Sequence, residues 1–298
     1  MKHRFYYLFY LALMLLILSA IGCGATRALV DKVTPGQKDL KKRLMVFPLI
    51  DDAGFGPQTT ARFNREFLDR LAQSPYVVLQ EPLDTGPSVG RGKSIRFGAV
   101  LDAETVARAQ AMGINWALIG IIQPFEMTNK RTGIWPFRGN KADYEVSVAI
   151  TVVDITNTTL LLTRQESRSI RFDSEEVDQR TEQIVREEAI AEDMPKILKK
   201  QAKAVIKALR KNRWKGKIVQ VTEKTMRINA GRDVGLKPGH RFDVFAPGET
   251  VTAKGGRNLA ILGERVGQIE AASVEETEAT AIPVSGENFR AGLIIRSR

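Results

Sequence analysis

Lys2 and Arg4 stand ahead of an apolar run from Phe5 to Ile21, which closes in Ser19-Ala20-Ile21-Gly22-Cys23-Gly24 and holds the only cysteine of the chain. A cationic start stays on the cytoplasmic side while the apolar run enters the membrane, and small residues at its end admit a peptidase to the backbone. Residues 1–22 are therefore expected to be an export leader, and the fold to be built from residues beyond Gly22. The alternative is an uncleaved membrane helix, because the run approaches the length of a bilayer span. Both readings place everything after Gly24 outside the cytoplasm.

The positions ahead of Cys23 resemble the lipobox of bacterial lipoproteins, with Ala20 where leucine is commonest. The resemblance implies that Cys23 becomes the acylated first residue of the mature chain, with a diacylglyceryl group and an N-acyl chain. Several acyl chains anchor durably where a single one holds only marginally. Gly24 is not the aspartate linked to inner-membrane retention, so family sorting rules imply the outer membrane, with the protein facing the periplasm.

Acylation of Cys23 leaves no thiol for a disulfide, a nucleophile or a metal ligand. His3 departs with the leader, and His240 lies alone in a Gly/Pro turn. A zinc site then lacks a second imidazole, and a Ser-His-Asp site lacks its G-x-S-x-G elbow. No catalytic, cofactor-binding or metal-ligating residue is expected, and the chain is not expected to be an enzyme.

Loss of Lys2 and Arg4 reduces the 45 basic residues to 43 against 34 acidic ones, a net charge of +9 in place of +11. Such an excess suits nucleic acid, an anionic membrane or an acidic protein, and export makes nucleic acid the weakest of these. The charge is also ordered along the chain. Acidic residues dominate from Asp173 to Asp193, and Lys196 to Lys217 has no carboxylate, an order that helix dipoles favour. Ile197, Leu198, Ala202, Val205, Ile206 and Leu209 recur at helical spacing, which predicts an amphipathic helix with Lys199, Lys200, Lys203, Lys207 and Arg210 on its other faces. Asp193 is expected to cap it and Pro195 to sit in its first turn, giving a break and two successive helices.

The punctuation divides the rest. Residues 23–42 read as a polar tether. Residues 43–211 read as an α/β domain: strand Leu44–Ile50, turn Asp51–Pro57, a helix with Phe63, Phe67, Leu68 and Leu71 on one face, and strand Tyr76–Leu79. A Gly/Pro-rich stretch comes after Pro82, then a helix from Ala103 to Met112 ending at Gly113, then strand Trp116–Ile122. After a loop from Thr128 to Asn140, alternation through Tyr144, Val146, Val148, Ile150 and Val152 pairs with a return strand, Leu160–Phe172. Residues 214–298 read as short strands separated by glycines, a small all-β, SH3-like barrel. The fold class expected is α+β: a small α/β domain with a mixed sheet, followed by that barrel.

Leu44-Met45-Val46-Phe47-Pro48-Leu49, Tyr76-Val77-Val78-Leu79 and Gly113-Ile114-Asn115-Trp116-Ala117-Leu118-Ile119-Gly120, with the helices between them, resemble the α/β domain shared by the curli secretion lipoprotein, the lipoprotein activators of penicillin-binding proteins and the amino-terminal domain of TolB. That domain binds partners and builds assemblies. Asn229 to Phe242, continuing through Gly267 to Arg296, resembles the carboxy-terminal domain of flagellar assembly protein T, whose typical member carries no lipobox. Together the resemblances imply a scaffold or assembly factor with a membrane anchor, envelope proteins as partners and homo-oligomers among its assemblies. A pore-forming outer-membrane secretion subunit is the alternative; it needs amphipathic strands of about 9 to 11 residues facing lipid.

Gly92-Lys93-Ser94 imitates the end of a P-loop, but Pro87 occupies the position of the required first glycine, so no nucleotide is expected. Asp51-Asp52 at a strand end read as turn and capping residues. Candidate partner contacts are Trp135 and Phe137, flanked by Lys130, Arg131, Arg138 and Lys141, together with Lys199 and Lys203 on the basic helix.

Overall fold

A computed structural model describes residues 40–80, 101, 103–132, 139–156, 159–172, 179–253 and 257–298. Residues 39–298 form one compact unit, in which a mixed sheet with helices on both faces is followed by a closed barrel.

The sheet begins with β1 (Lys42–Val46), breaks at the exposed Pro48 and resumes as the two-residue β2 (Ile50–Asp51). One uninterrupted strand from Leu44 to Ile50 is thus corrected: Pro48 has no N–H for the ladder, and Leu49 turns its own N–H to the Asn64 side chain at 2.6 Å. Helix α1 (Pro57–Ala72) starts with proline in its first turn and buries Thr60, Phe63, Phe67 and Leu71 at helical spacing. Strand β3 (Val77–Gln80) and helix α2 (Ala103–Ala111) come next. Three long strands complete the sheet: β4 (Trp116–Thr132), β5 (Gly139–Asp154) and β6 (Thr159–Phe172). The order is β3-β1-β4-β5-β6 with β2 beside β4; β1, β2, β3 and β4 run parallel, and the β4-β5-β6 meander is antiparallel.

Alternation sorts the side chains between the two faces. Leu44, Val46, Leu118, Val146, Val148, Ile150 and Val152 lie in a core with α1 and the late helices, while Met45, Phe47, Ala117 and Ile119 form a second core with Ala109 of α2. The apolar face of β5 is therefore covered by the protein's own helices.

Helix α3 (Gln179–Glu188) runs through a π turn (Ala189–Asp193) into α4 (Met194–Lys211). The expected break with an Asp193 cap is corrected. Asp193 makes no capping bond; its carboxylate accepts from Arg168 on β6 at 2.7 Å. The wide turn accommodates Pro195, which lacks the N–H an α turn would use.

The barrel comprises β7 (Lys215–Val221), β8 (Met226–Ile228), β9 (Arg241–Ala253), β10 (Arg257–Val274), β11 (Ala279–Gly286) and β12 (Ile294–Ser297), closed in the order β10-β11-β8-β7-β12-β9. The expectation of short strands is corrected at β9 and β10, which run to 13 and 18 residues. Bulges along their pairing take up Pro247 and Gly263, residue types that usually punctuate loops.

The folded part takes in Leu40 to Lys42, three residues of the stretch assigned to the tether. Leu40 is buried among the barrel residues, and the Lys41 N–H donates to Val234 O at 2.9 Å. Arg43 then ties sheet to barrel: its guanidinium pairs with Asp233 at 2.7 and 2.9 Å and donates to the carbonyls of Asn229 at 3.2 Å and Thr277 at 2.6 Å. Asn115 bridges the same joint, accepting from Arg43 N at 2.8 Å and donating to Lys215 O at 2.6 Å. Gly113 permits this approach, since a Cβ there would lie 2.5 Å from Arg43 Nη1.

Candidate functional site

A concavity lies at the carboxyl end of β2, beside the extended β4-β5 hairpin. It is a groove of about 420 Å³ lined by Asp52, Ala53, Pro124, Phe125, Met127, Tyr144, Val185 and Arg186. Three pieces of local chemistry shape it.

The first is the turn after β2. The Asp51 carboxylate accepts from Ala53 N at 3.1 Å and Gly56 N at 2.9 Å, and lies 3.1 Å from Thr60 Oγ1. It satisfies a tight turn and the opening of α1, the role expected of it. Asp52 is exposed at the groove wall.

The second is a bulge in β4. Register with β5 shifts between Gln123 and Glu126, so that Pro124 and Phe125 oppose one residue. Proline cannot donate to the ladder and is tolerated at such a bulge, which re-aims the neighbouring side chain. Phe125 thereby meets Phe55 edge-on at 5.4 Å, and Phe55 meets Phe63 of α1 at 5.5 Å.

The third is Arg186 on α3. Its guanidinium donates to Ala53 O at 3.0 Å and stands 5.2 Å from the centre of the Phe125 ring. One cation thus pins turn, bulge and helix together. Met127, in the lining, remains 50% exposed, which gives the groove an apolar edge.

Among the described residues no group of three or more His, Cys, Asp or Glu is placed to hold a metal ion, and no helix is long and apolar enough to cross a membrane. Asp154, at the end of β5, is buried and pairs with Lys215 at 3.0 Å. Lys217 beside it has its ammonium pulled down by burial, with Asp154 opposing the shift. His240 sits in a turn, where burial and then Lys237 lower its imidazole below the ordinary range.

Of the candidate contacts, Lys199 and Lys203 are exposed on α4. Cys23, Trp135, Phe137 and the Gly92-Lys93-Ser94 segment lie outside the described residues. The loop expected from Thr128 to Asn140 is corrected in its flanks: β4 continues to Thr132 and β5 starts at Gly139. Sequence reasoning missed Phe125, Met127 and Arg186; the one available signal was Pro124, in the middle of a strand.

No protein-family model and no curated protein matches the sequence. Solved structures with a similar outline include lipoprotein GNA1162 from Neisseria meningitidis, 14% identical over 57% of this chain and 99% of that one, with a TM-score of 0.27. The PelC dodecamer from Paraburkholderia phytofirmans is 11% identical over 57% of this chain and 87% of that one, at 0.30. TolB from Acinetobacter baumannii is 13% identical over 83% of this chain and 59% of TolB, also at 0.30. These neighbours are of low identity and low structural similarity, and no residue role is carried over from them.

Proposed function

We propose that this chain is a lipid-anchored cell-envelope protein, acylated on Cys23 and facing the periplasm from the outer membrane, that acts without catalysis as a scaffold or assembly factor. The observation that carries the reading is the groove: an apolar floor of Phe125, Met127 and Val185, one carboxylate at Asp52 and one guanidinium at Arg186. Aromatic and aliphatic surface with few, opposed charges suits a segment of a partner protein better than a small polar substrate. The barrel, joined to the sheet through Arg43, supplies a second face, and its resemblance nominates components of the flagellar envelope machinery as the first partners to look for.

A pore-forming role finds less support. The apolar face of β5 packs under α1 and α4, and the β4 extension reads Gln123-Pro124-Phe125-Glu126-Met127-Thr128-Asn129-Lys130, without the sustained alternation a lipid-facing strand needs.

Two measurements test the proposal. Mass spectrometry of protein from membranes is expected to find a chain beginning at Cys23 with three acyl chains, and Cys23→Ser is expected to stay unprocessed; an unmodified thiol overturns the anchor. A photo-reactive residue at Met127 is expected to give a discrete adduct with an envelope protein, at least roughly tenfold weaker when Arg186→Glu is added, as loss of a central charged contact implies. Adducts of equal yield from a control position at Lys224 would overturn the groove.

A further inference from the structure

Seven basic residues and no acidic one occur on α4: Lys196, Lys199, Lys200, Lys203, Lys207, Arg210 and Lys211. All seven are exposed, and every exposed residue of the helix is one of them. At 3.6 residues per turn they fall within about 120° of arc, opposite the face that buries Ile197, Leu198, Gln201, Ala202, Val205 and Leu209. Two are already committed. Lys200 pairs with Glu166, whose carboxyl is held below its usual range by that hydrogen bond and by Arg164, and Lys196 pairs with Glu192 at 2.9 Å. Lys199, Lys203, Lys207, Arg210 and Lys211 have no carboxylate partner among the described residues.

We infer that this face of α4 docks on the anionic phospholipid headgroups of the membrane that holds the anchor, an inference that rests on the acylation of Cys23. The absence of any exposed apolar or aromatic side chain on the helix decides between occupants. A protein partner draws its energy from a buried apolar or aromatic centre, whereas headgroups require charge alone and are approached without insertion. The stripe is also straight, as a plane of phosphates requires. From Lys199 to Lys211 it covers about 18 Å at 1.5 Å per residue. The seventeen residues from Cys23 to Asp39 can span about 60 Å, enough to let the face reach the surface. Docking would convert a loosely tethered protein into one held in a fixed attitude, with the groove and barrel presented in a defined direction.

The test uses residues 24–298, which keep the whole compact unit and remove the acylated residue, so its outcome is independent of the anchor. Sedimentation with vesicles of mixed phosphatidylethanolamine and phosphatidylglycerol is expected to carry the protein down, while phosphatidylcholine vesicles leave it in solution. Salt should release it, because exposed charges are screened within about 10 Å at 0.1 M. Each cation removed is expected to weaken binding about fivefold. The triple variant Lys199→Glu, Lys203→Glu, Lys207→Glu should lose more than roughly a hundredfold. A control of equal charge on the barrel, Lys224→Glu, Lys237→Glu, Arg290→Glu, should lose far less, and all three proteins should melt alike. Equal loss in both triple variants, indifference to lipid charge, or preferential binding of an acidic envelope protein would overturn the proposal.

Discussion

Arg43→Ala is expected to lower the unfolding free energy by about 3–5 kcal/mol, the range for removing one partner of a buried ion pair. The Arg43 side chain is 4% exposed and that of Asp233 14%. The loss leaves the Asp233 carboxylate without its main counter-ion and strips donors from two barrel carbonyls, those of Asn229 and Thr277. The Asn229 carbonyl, bonded in a buried setting, loses a donor and stays away from water, whereas Thr277 is exposed and can turn to solvent. Denaturant unfolding followed by circular dichroism measures the change in midpoint. The double variant with Asp233→Ala separates the components: if an uncompensated carboxylate contributes much of the cost, the pair together will lose clearly less than the sum of the single losses. A loss below about 1 kcal/mol for Arg43→Ala would mean that the joint behaves as a solvated surface pair.

This joint also marks the boundary of what residue patterns could reveal. Period-two alternation in Val146, Val148, Ile150 and Val152 announced β5, and the Phe63, Phe67, Leu71 spacing announced α1, because those residues face a core assembled from near neighbours in their own segment. Arg43 gives no such signal. Its partners Asp233 and Thr277 stand 190 and 234 positions away, and a lone cation at a strand start reads as an edge residue until the chain closes on itself. Leu40 was hidden for the same reason: one apolar residue in a polar stretch is indistinguishable from tether until the barrel is there to receive it.

The candidate site was legible only in part. The turn role of Asp51 came from its place at a strand end, and the basic face of α4 from helical spacing alone. The groove could not be read this way, because it requires a bulge to swing Phe125 over and an arginine from α3 to reach across to it, both consequences of tertiary packing. The expectation of short strands separated by glycines fails at β9 and β10, where bulges carry the pairing past Pro247 and Gly263, which shows how a register shift can absorb a residue that a regular ladder rejects.

Trp214→Ala is the second change expected to be severe, at about 3–5 kcal/mol for a large aromatic removed from a packed core. The indole is 1% exposed and fills the barrel against Phe242, with ring centres 5.6 Å apart. It lies so close over Gly216 that a Cβ there would fall 2.2 Å from the ring, and Leu40 belongs to the same cluster. The cavity would therefore open where the barrel, the linker from α4 and the start of the fold converge. The indole N–H has no acceptor among the described residues, and a buried unmatched donor carries its own desolvation penalty. Trp214→Phe removes that donor while keeping most of the ring, so it is expected to lose no more than about 1–2 kcal/mol. Thermal unfolding of the two variants beside the parent reads the contrast directly. A phenylalanine variant as damaged as the alanine one would mean that the N–H is bonded and that the indole is held by polarity as well as by shape.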